Sequence, residues 1–99
     1  MTNKNYKKGA DYERRFCKER LKDGAVISKR FYASRGITDV YWVDKVGKYS
    51  EAQLKYSDTK PKISKLELGR LVAYAQLNPF PVHLVMKTRR RPAKWERLN

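Results

Sequence analysis

The chain has 99 residues, with 24 Lys and Arg against 10 Asp and Glu, a formal charge of +14 at pH 7. That length suits one small domain with a modest core, and a 40% hydrophobic content with 7 Tyr, 3 Phe and 2 Trp argues against a disordered polyelectrolyte. One Cys and one His exclude a disulfide framework and Cys- or His-rich metal sites, the longest apolar run (82–86, broken by His83) is too short to span a membrane, and the charge selects polyanions, nucleic acid ahead of an anionic membrane surface.

In chain order, Met1-Thr-Asn-Lys-Asn leads into no apolar stretch, so no secretory signal is expected and the cytoplasm is the expected compartment. Residues 7–22 predict a helix, with Ala10, Glu13, Cys17 and Leu21 on one face and Phe16 beside them. Asp23-Gly24 is its stop signal. Residues 25–31 predict a strand, and 33–38 a small-residue loop around Gly36. Residues 39–43 and 49–56 predict two antiparallel strands joined by a turn at 44–48. A charged loop with Pro61 follows, then a helix over 66–77, with Ser64 and Glu67 spaced as a capping box and Leu68, Leu71, Val72 and Ala75 on its core side. Asn78-Pro79 ends that helix. Residues 81–87 predict a strand apolar enough to be covered on both faces. The end of the chain is basic, with a short edge strand around Trp95. Helix, three strands, helix, strand predicts an α/β fold: a central mixed β-sheet flanked by helices, with a right-handed crossover between the third and fourth strands. The expected organisation is one domain over 1–99, with a core at about 7–87 and a basic C-terminal tail at 88–99.

Strand alternation puts Glu51, Gln53 and Lys55 on one face. A hairpin of the second and third strands brings Asp39 near Gln53 and Lys55. Glu13, a carboxylate on the inward face of the first helix, can complete the cluster, because a charge at a core-facing position needs compensation. Phosphodiester hydrolysis needs hard oxygen ligands for a divalent ion, which lowers the pKa of bound water, and a cation for the developing negative charge. Asp39, the side-chain oxygen of Gln53, the main-chain carbonyl of Leu54 and, through water, Glu13 could hold Mg²⁺ or Mn²⁺, with Lys55 as the cation. Each element also has a plain reading. Glu13 can pair with any of the basic residues, Asp39 can open a strand, Gln-x-Lys is common on strands, and Ser34 can be an ordinary loop residue.

The ordered set Lys8-Gly9-x-x-x-Glu13-Arg14, Arg30-x-x-x-Ser34-x-Gly36-x-x-Asp39 and Gln53-Leu54-Lys55 resembles the archaeal-type Holliday junction resolvases of the PD-(D/E)xK nuclease superfamily, over about 7–86. The resemblance implies a restriction-endonuclease-like nuclease core. It also implies metal-associated roles for Glu13, Asp39 and Gln53, catalytic roles for Lys55 and Ser34, and a phosphate contact for Arg30. The family's usual glutamate is Gln53 here, which keeps an oxygen but loses the charge. Glu51, on the same face, is a candidate substitute. Thr38 stands where the motif usually has proline.

The expectation is a Mg²⁺- or Mn²⁺-dependent endonuclease that cuts four-way DNA junctions in recombination and repair. A homodimer is expected too, because two strands must be cut and one chain offers one site. Lys7, Lys8, Arg30, Arg35, Lys60, Lys62, Arg89, Arg90 and Arg91 are the expected DNA contacts, made to backbone and branch shape rather than base edges. Another nicking or flap nuclease of the superfamily, or a non-catalytic basic nucleic-acid-binding protein, are the alternatives, and the compact size is compatible with a viral or phage genome. Cys17 reads as a buried apolar residue and His83 as a structural one.

Overall fold

The computed structural model describes residues 4–31 and 37–99, with side chains from residue 7 onward. Helix α1 (Lys4–Lys22) is followed by β1 (Ile27–Arg30), β2 (Val40–Val43), β3 (Tyr49–Ser57), α2 (Lys65–Gln76), β4 (Val82–Thr88) and β5 (Lys94–Arg97). The five strands lie in chain order in one sheet. All neighbours are antiparallel except β3 and β4, which run parallel and are joined through α2. The sheet is therefore mixed, as the order of elements predicts.

Register separates two cores. Ala52 and Leu54 of β3 and Val85 of β4 join Tyr12, Phe16 and Cys17 of α1 and Val40 of β2. Val82 and Leu84 of β4, which oppose Glu51 and Gln53, join Leu71 and Ala75 of α2. Because strand side chains alternate, α1 and α2 cover opposite faces, and β4 is apolar because both of its faces are covered. Phe16 is 1% exposed; burial of a side chain that size stabilises by about 1.5–3 kcal/mol.

The caps follow the sequence signals. Gly24 takes a φ of +112° just past the end of α1, where the Ala25 amide donates to the Arg20 carbonyl at 2.9 Å; a β-carbon would be strained in that conformation. The Ser64 hydroxyl accepts from the Glu67 amide at 3.1 Å and opens α2. The Glu67 carboxylate returns to the Ser64 hydroxyl at 3.5 Å rather than to its amide, so the capping box is only half formed. Asp44 accepts from the amides of Val46 and Lys48 in the β2–β3 turn.

Two expected core residues are exposed, and a third, Leu68, is only partly buried. Leu21 is 46% exposed, while Arg20 packs its guanidinium over Phe16 and Trp95, 5.0 and 4.9 Å from the ring centroids. Val72 is 37% exposed, because the buried line of α2 runs through Leu71 and Ala75. Cys17 is buried, and burial pushes its thiol pKa up. His83 lies between Trp42 and Trp95, with ring centroids 5.8 and 5.4 Å away, as a packing residue.

Candidate active site

Asp39 immediately precedes β2. Its amide donates to the Ala52 carbonyl at 2.9 Å although Ala52 already opposes Val40. Two residues facing one is the arrangement of a β-bulge, which re-aims a side chain. Here the Asp39 carboxylate turns onto β3, where Oδ2 accepts from the Leu54 amide at 2.8 Å. Strand geometry sends the Leu54 carbonyl out along the same edge as that amide.

Burial raises the Asp39 pKa to about 6. The Leu54 hydrogen bond opposes that rise, Glu13 adds to it, and Lys55 and Arg30 reduce it. Glu13 of α1, Arg30 of β1 and Lys55 of β3 thus all act on the charge of Asp39 at the entry to β2.

The partners within that neighbourhood were only partly expected. Arg30 Nε donates to Glu13 Oε1 at 2.9 Å, with both side chains half-buried, so the core-facing charge of Glu13 is compensated by an arginine. Lys55 Nζ donates to Glu67 Oε2 at 2.6 Å. That bond holds the Glu67 pKa below the usual carboxylate range. Gln53 lines a cavity of about 200 Å³ with Ile37, Ile63, Glu67 and Arg70. From sequence, Glu67 reads only as a helix cap. Its position twelve residues beyond Lys55, in the first turn of the crossover helix, is the signal that could have found it.

Glu51 is not the substitute ligand. It is 4% exposed and accepts from the hydroxyls of Thr38 at 2.6 Å, Tyr74 at 2.7 Å and Tyr49. The cluster locks β3 to α2 and to the residue before Asp39. Ser34 and Arg35, named from sequence as catalytic and DNA-binding, lie outside the described residues.

Among the described residues, no three His, Cys, Asp or Glu side chains converge as metal ligands. The donors that β2 and β3 offer here are the half-buried Asp39 carboxylate and the Leu54 main-chain carbonyl, with the Gln53 amide oxygen on the preceding residue of β3. All are hard oxygens of the kind Mg²⁺ or Mn²⁺ takes, in a set short of charge. The residues fit such an ion, with Asp39 as the anionic ligand.

Beyond Lys55 the surface is basic. Met86, opposite Lys55 in the register, lines a groove of about 530 Å³ together with Lys60, Arg89, Arg91 and Lys94. Lys7, Lys62 and Arg90 are exposed, and Lys8 pairs with Asp58 at the rim.

The fold and these positions define a mixed-sheet α/β domain with carboxylate, amide and lysine at the rim of its central strands. No protein-family model and no curated protein matches the chain. The fold is that of an archaeal Holliday junction resolvase, Hjc of the hyperthermophile Archaeoglobus fulgidus: the TM-score is 0.73 at 22% identity, over 92% of this chain and 73% of that one. No described helix is long and apolar enough to cross a membrane.

Proposed function

We propose that the chain is a Holliday junction resolvase: a Mg²⁺- or Mn²⁺-dependent endonuclease that hydrolyses phosphodiester bonds at four-way DNA junctions, in recombination and repair, as a homodimer in the cytoplasm. The observation that carries this is the half-buried Asp39 carboxylate, seated on the Leu54 amide in the field of Glu13, Arg30 and Lys55, in the fold of a resolvase.

Asp39, Gln53 through its amide oxygen and Leu54 through its carbonyl would hold the ion, with Glu13 acting through water. When bound, the ion supplies an activated water and neutralises phosphate charge. Lys55 stabilises negative charge developing on the phosphate. Arg30, already oriented by Glu13, contacts a neighbouring phosphate oxygen, and Ser34 is proposed as catalytic by family resemblance. Lys7, Lys8, Arg35, Lys60, Lys62, Arg89, Arg90 and Arg91 would hold the DNA backbone.

The second reading is a non-catalytic nucleic-acid-binding protein. The neutral Gln53 and the pairing of both central cations, Arg30 with Glu13 and Lys55 with Glu67, favour it. A labelled four-way junction beside a linear duplex of the same sequence, with Mg²⁺, Mn²⁺ or EDTA, separates the readings. The expected result is paired, metal-dependent nicks in the junction alone, lost in Asp39→Asn with junction binding retained, and with Lys55→Ala lowering turnover more than binding. Cutting of flaps or duplex instead points to another nuclease of the superfamily. Binding without cutting supports the second reading.

A further inference from the structure

We propose that Glu51 is a positioning residue for the Asp39 carboxylate, acting through the hydrogen bond that it accepts from the Thr38 hydroxyl. The inference rests on the nuclease reading above, which gives Asp39 its part in the reaction, and names the buried group that keeps it in place.

Residues 38 and 39 are tied to β3 at three points. The Thr38 hydroxyl donates to Glu51 Oε1 at 2.6 Å, the Asp39 amide donates to the Ala52 carbonyl at 2.9 Å, and the Leu54 amide donates to Asp39 Oδ2 at 2.8 Å. The last of these seats the carboxylate. Where a side chain points depends on the backbone on either side of its Cα. After Asp39, its carbonyl accepts from the Phe31 amide at 2.9 Å. Before it, the side-chain anchor is the Thr38 hydroxyl, on a residue only 3% exposed.

Glu51 suits the part of a fixed acceptor. Its Oε1 also accepts from Tyr74 of α2 at 2.7 Å and its Oε2 from Tyr49, so the carboxylate cannot turn away from Thr38 without losing a tyrosine. All three partners are hydroxyls, and none of the described ion pairs includes Glu51. A charge buried beside neutral groups alone is costly, and an uncharged side chain would fill the same space at less cost. What the charge adds is direction. A charged carboxylate only accepts, so each hydroxyl must donate to it, and such bonds are the stronger kind.

Tying α2 to the sheet is the plain role of the cluster, and two single variants separate it from positioning. Thr38→Val and Tyr74→Phe each remove one hydroxyl from the same Glu51 oxygen, but only Thr38 adjoins Asp39. Thr38→Ala serves if valine is not accommodated. The experiment follows amide hydrogen exchange by NMR on the full chain in EDTA without DNA, then junction cleavage with Mg²⁺. In Thr38→Val the Leu54 amide is expected to exchange about 10-fold faster or more, relative to the amides of β4. Tyr74→Phe is expected to leave Leu54 in step with β4, and Thr38→Ser to behave as the native chain. Glu51→Met, which removes the acceptor, is expected to match Thr38→Val at Leu54, with no further gain in the double variant. Thr38→Val should also slow single-turnover cleavage by about 10- to 100-fold at unchanged junction affinity. The inference is overturned if Leu54 stays protected in Thr38→Val, speeds up only together with β4, or responds equally to Tyr74→Phe. Native cleavage rates in Thr38→Val overturn it as well. A native chain that cuts no junction overturns the nuclease reading, and the exchange data, taken without metal or DNA, decide separately whether Thr38 and Glu51 seat Asp39.

Discussion

Asp39 is held in a form that works against the fold. Its pKa rises to about 6 from an ordinary value of 3.8, with burial as the leading cause. Between those pH values the folded chain holds more protons at this site than the unfolded chain. Stability therefore falls as pH rises through the window, and the penalty is complete above about pH 6. Asp39→Asn removes the charge and keeps an oxygen for the Leu54 amide. In EDTA near pH 7.5 the variant should be more stable than the native chain by about 1–2 kcal/mol, a rise of roughly 5–10 °C in melting temperature. The gain should shrink toward pH 4, and a calorimetric scan at the two pH values reads both. Mg²⁺ should raise the melting temperature of the native chain and not of Asp39→Asn. A variant no more stable than the native chain at pH 7.5 would mean that Asp39 is not desolvated. Part of this neighbourhood was legible in the sequence, because a hairpin of β2 and β3 suffices to lay Asp39 against the middle of β3, on the Leu54 amide and in the field of Lys55. The two ion pairs were not. Glu13 finds Arg30 and Lys55 finds Glu67 across 17 and 12 residues, and alternation along one strand carries no information about which charge a packed helix lays beside it.

The β4–β5 hairpin holds the chain's described non-glycine residue of positive φ, Arg90 at +63°. The Arg91 amide closes the turn on the Thr88 carbonyl at 3.1 Å. Lys87 Nζ bonds the carbonyls of Thr88 and Arg91. Left-handed backbone costs a residue with a β-carbon about 1 kcal/mol, and Asn tolerates it well. An arginine here trades stability for a cation at the tip, beside the groove of Lys60, Arg89, Arg91 and Lys94. Arg90→Asn should therefore leave the fold unchanged or more stable by up to about 1 kcal/mol in urea melts, while weakening junction binding by roughly threefold to tenfold. A destabilised variant with full DNA affinity would make the arginine structural. The turns and caps at Gly24, Asp44 and Ser64 were readable because each rests on local hydrogen bonds between residues two to five apart. The facing of α2 was read less well. Leu71 and Ala75 are buried while Val72 is not, since the side of a helix that meets β4 depends on the angle at which the crossover lays it down.

At the scale of the whole molecule, the +14 charge sets two quantities that respond to salt in opposite directions. With 24 basic residues against 10 acidic ones and five described ion pairs, most of the cations are not neutralised within the fold. Folding concentrates them into a small volume, and the resulting repulsion is screened beyond about 10 Å at 0.1 M salt. DNA binding gains from the same charge by releasing counterions, with a slope of log affinity on log salt of about −0.9 per phosphate contacted. If the groove, the hairpin and the start of α1 together meet six or more phosphates, junction affinity should fall about 10³-fold or more between 50 and 200 mM NaCl. The melting temperature of the free chain should rise over the same interval. Replacing Lys60, Arg89 and Arg91 together with Gln should flatten the affinity slope by about 2–3 and raise the melting temperature at 50 mM NaCl, where their repulsion is least screened. Fluorescence anisotropy of a labelled junction and thermal scans across the same salt series read the two responses side by side. A variant that keeps the native slope would remove this groove from the DNA path, even if the site at Asp39 continued to cut.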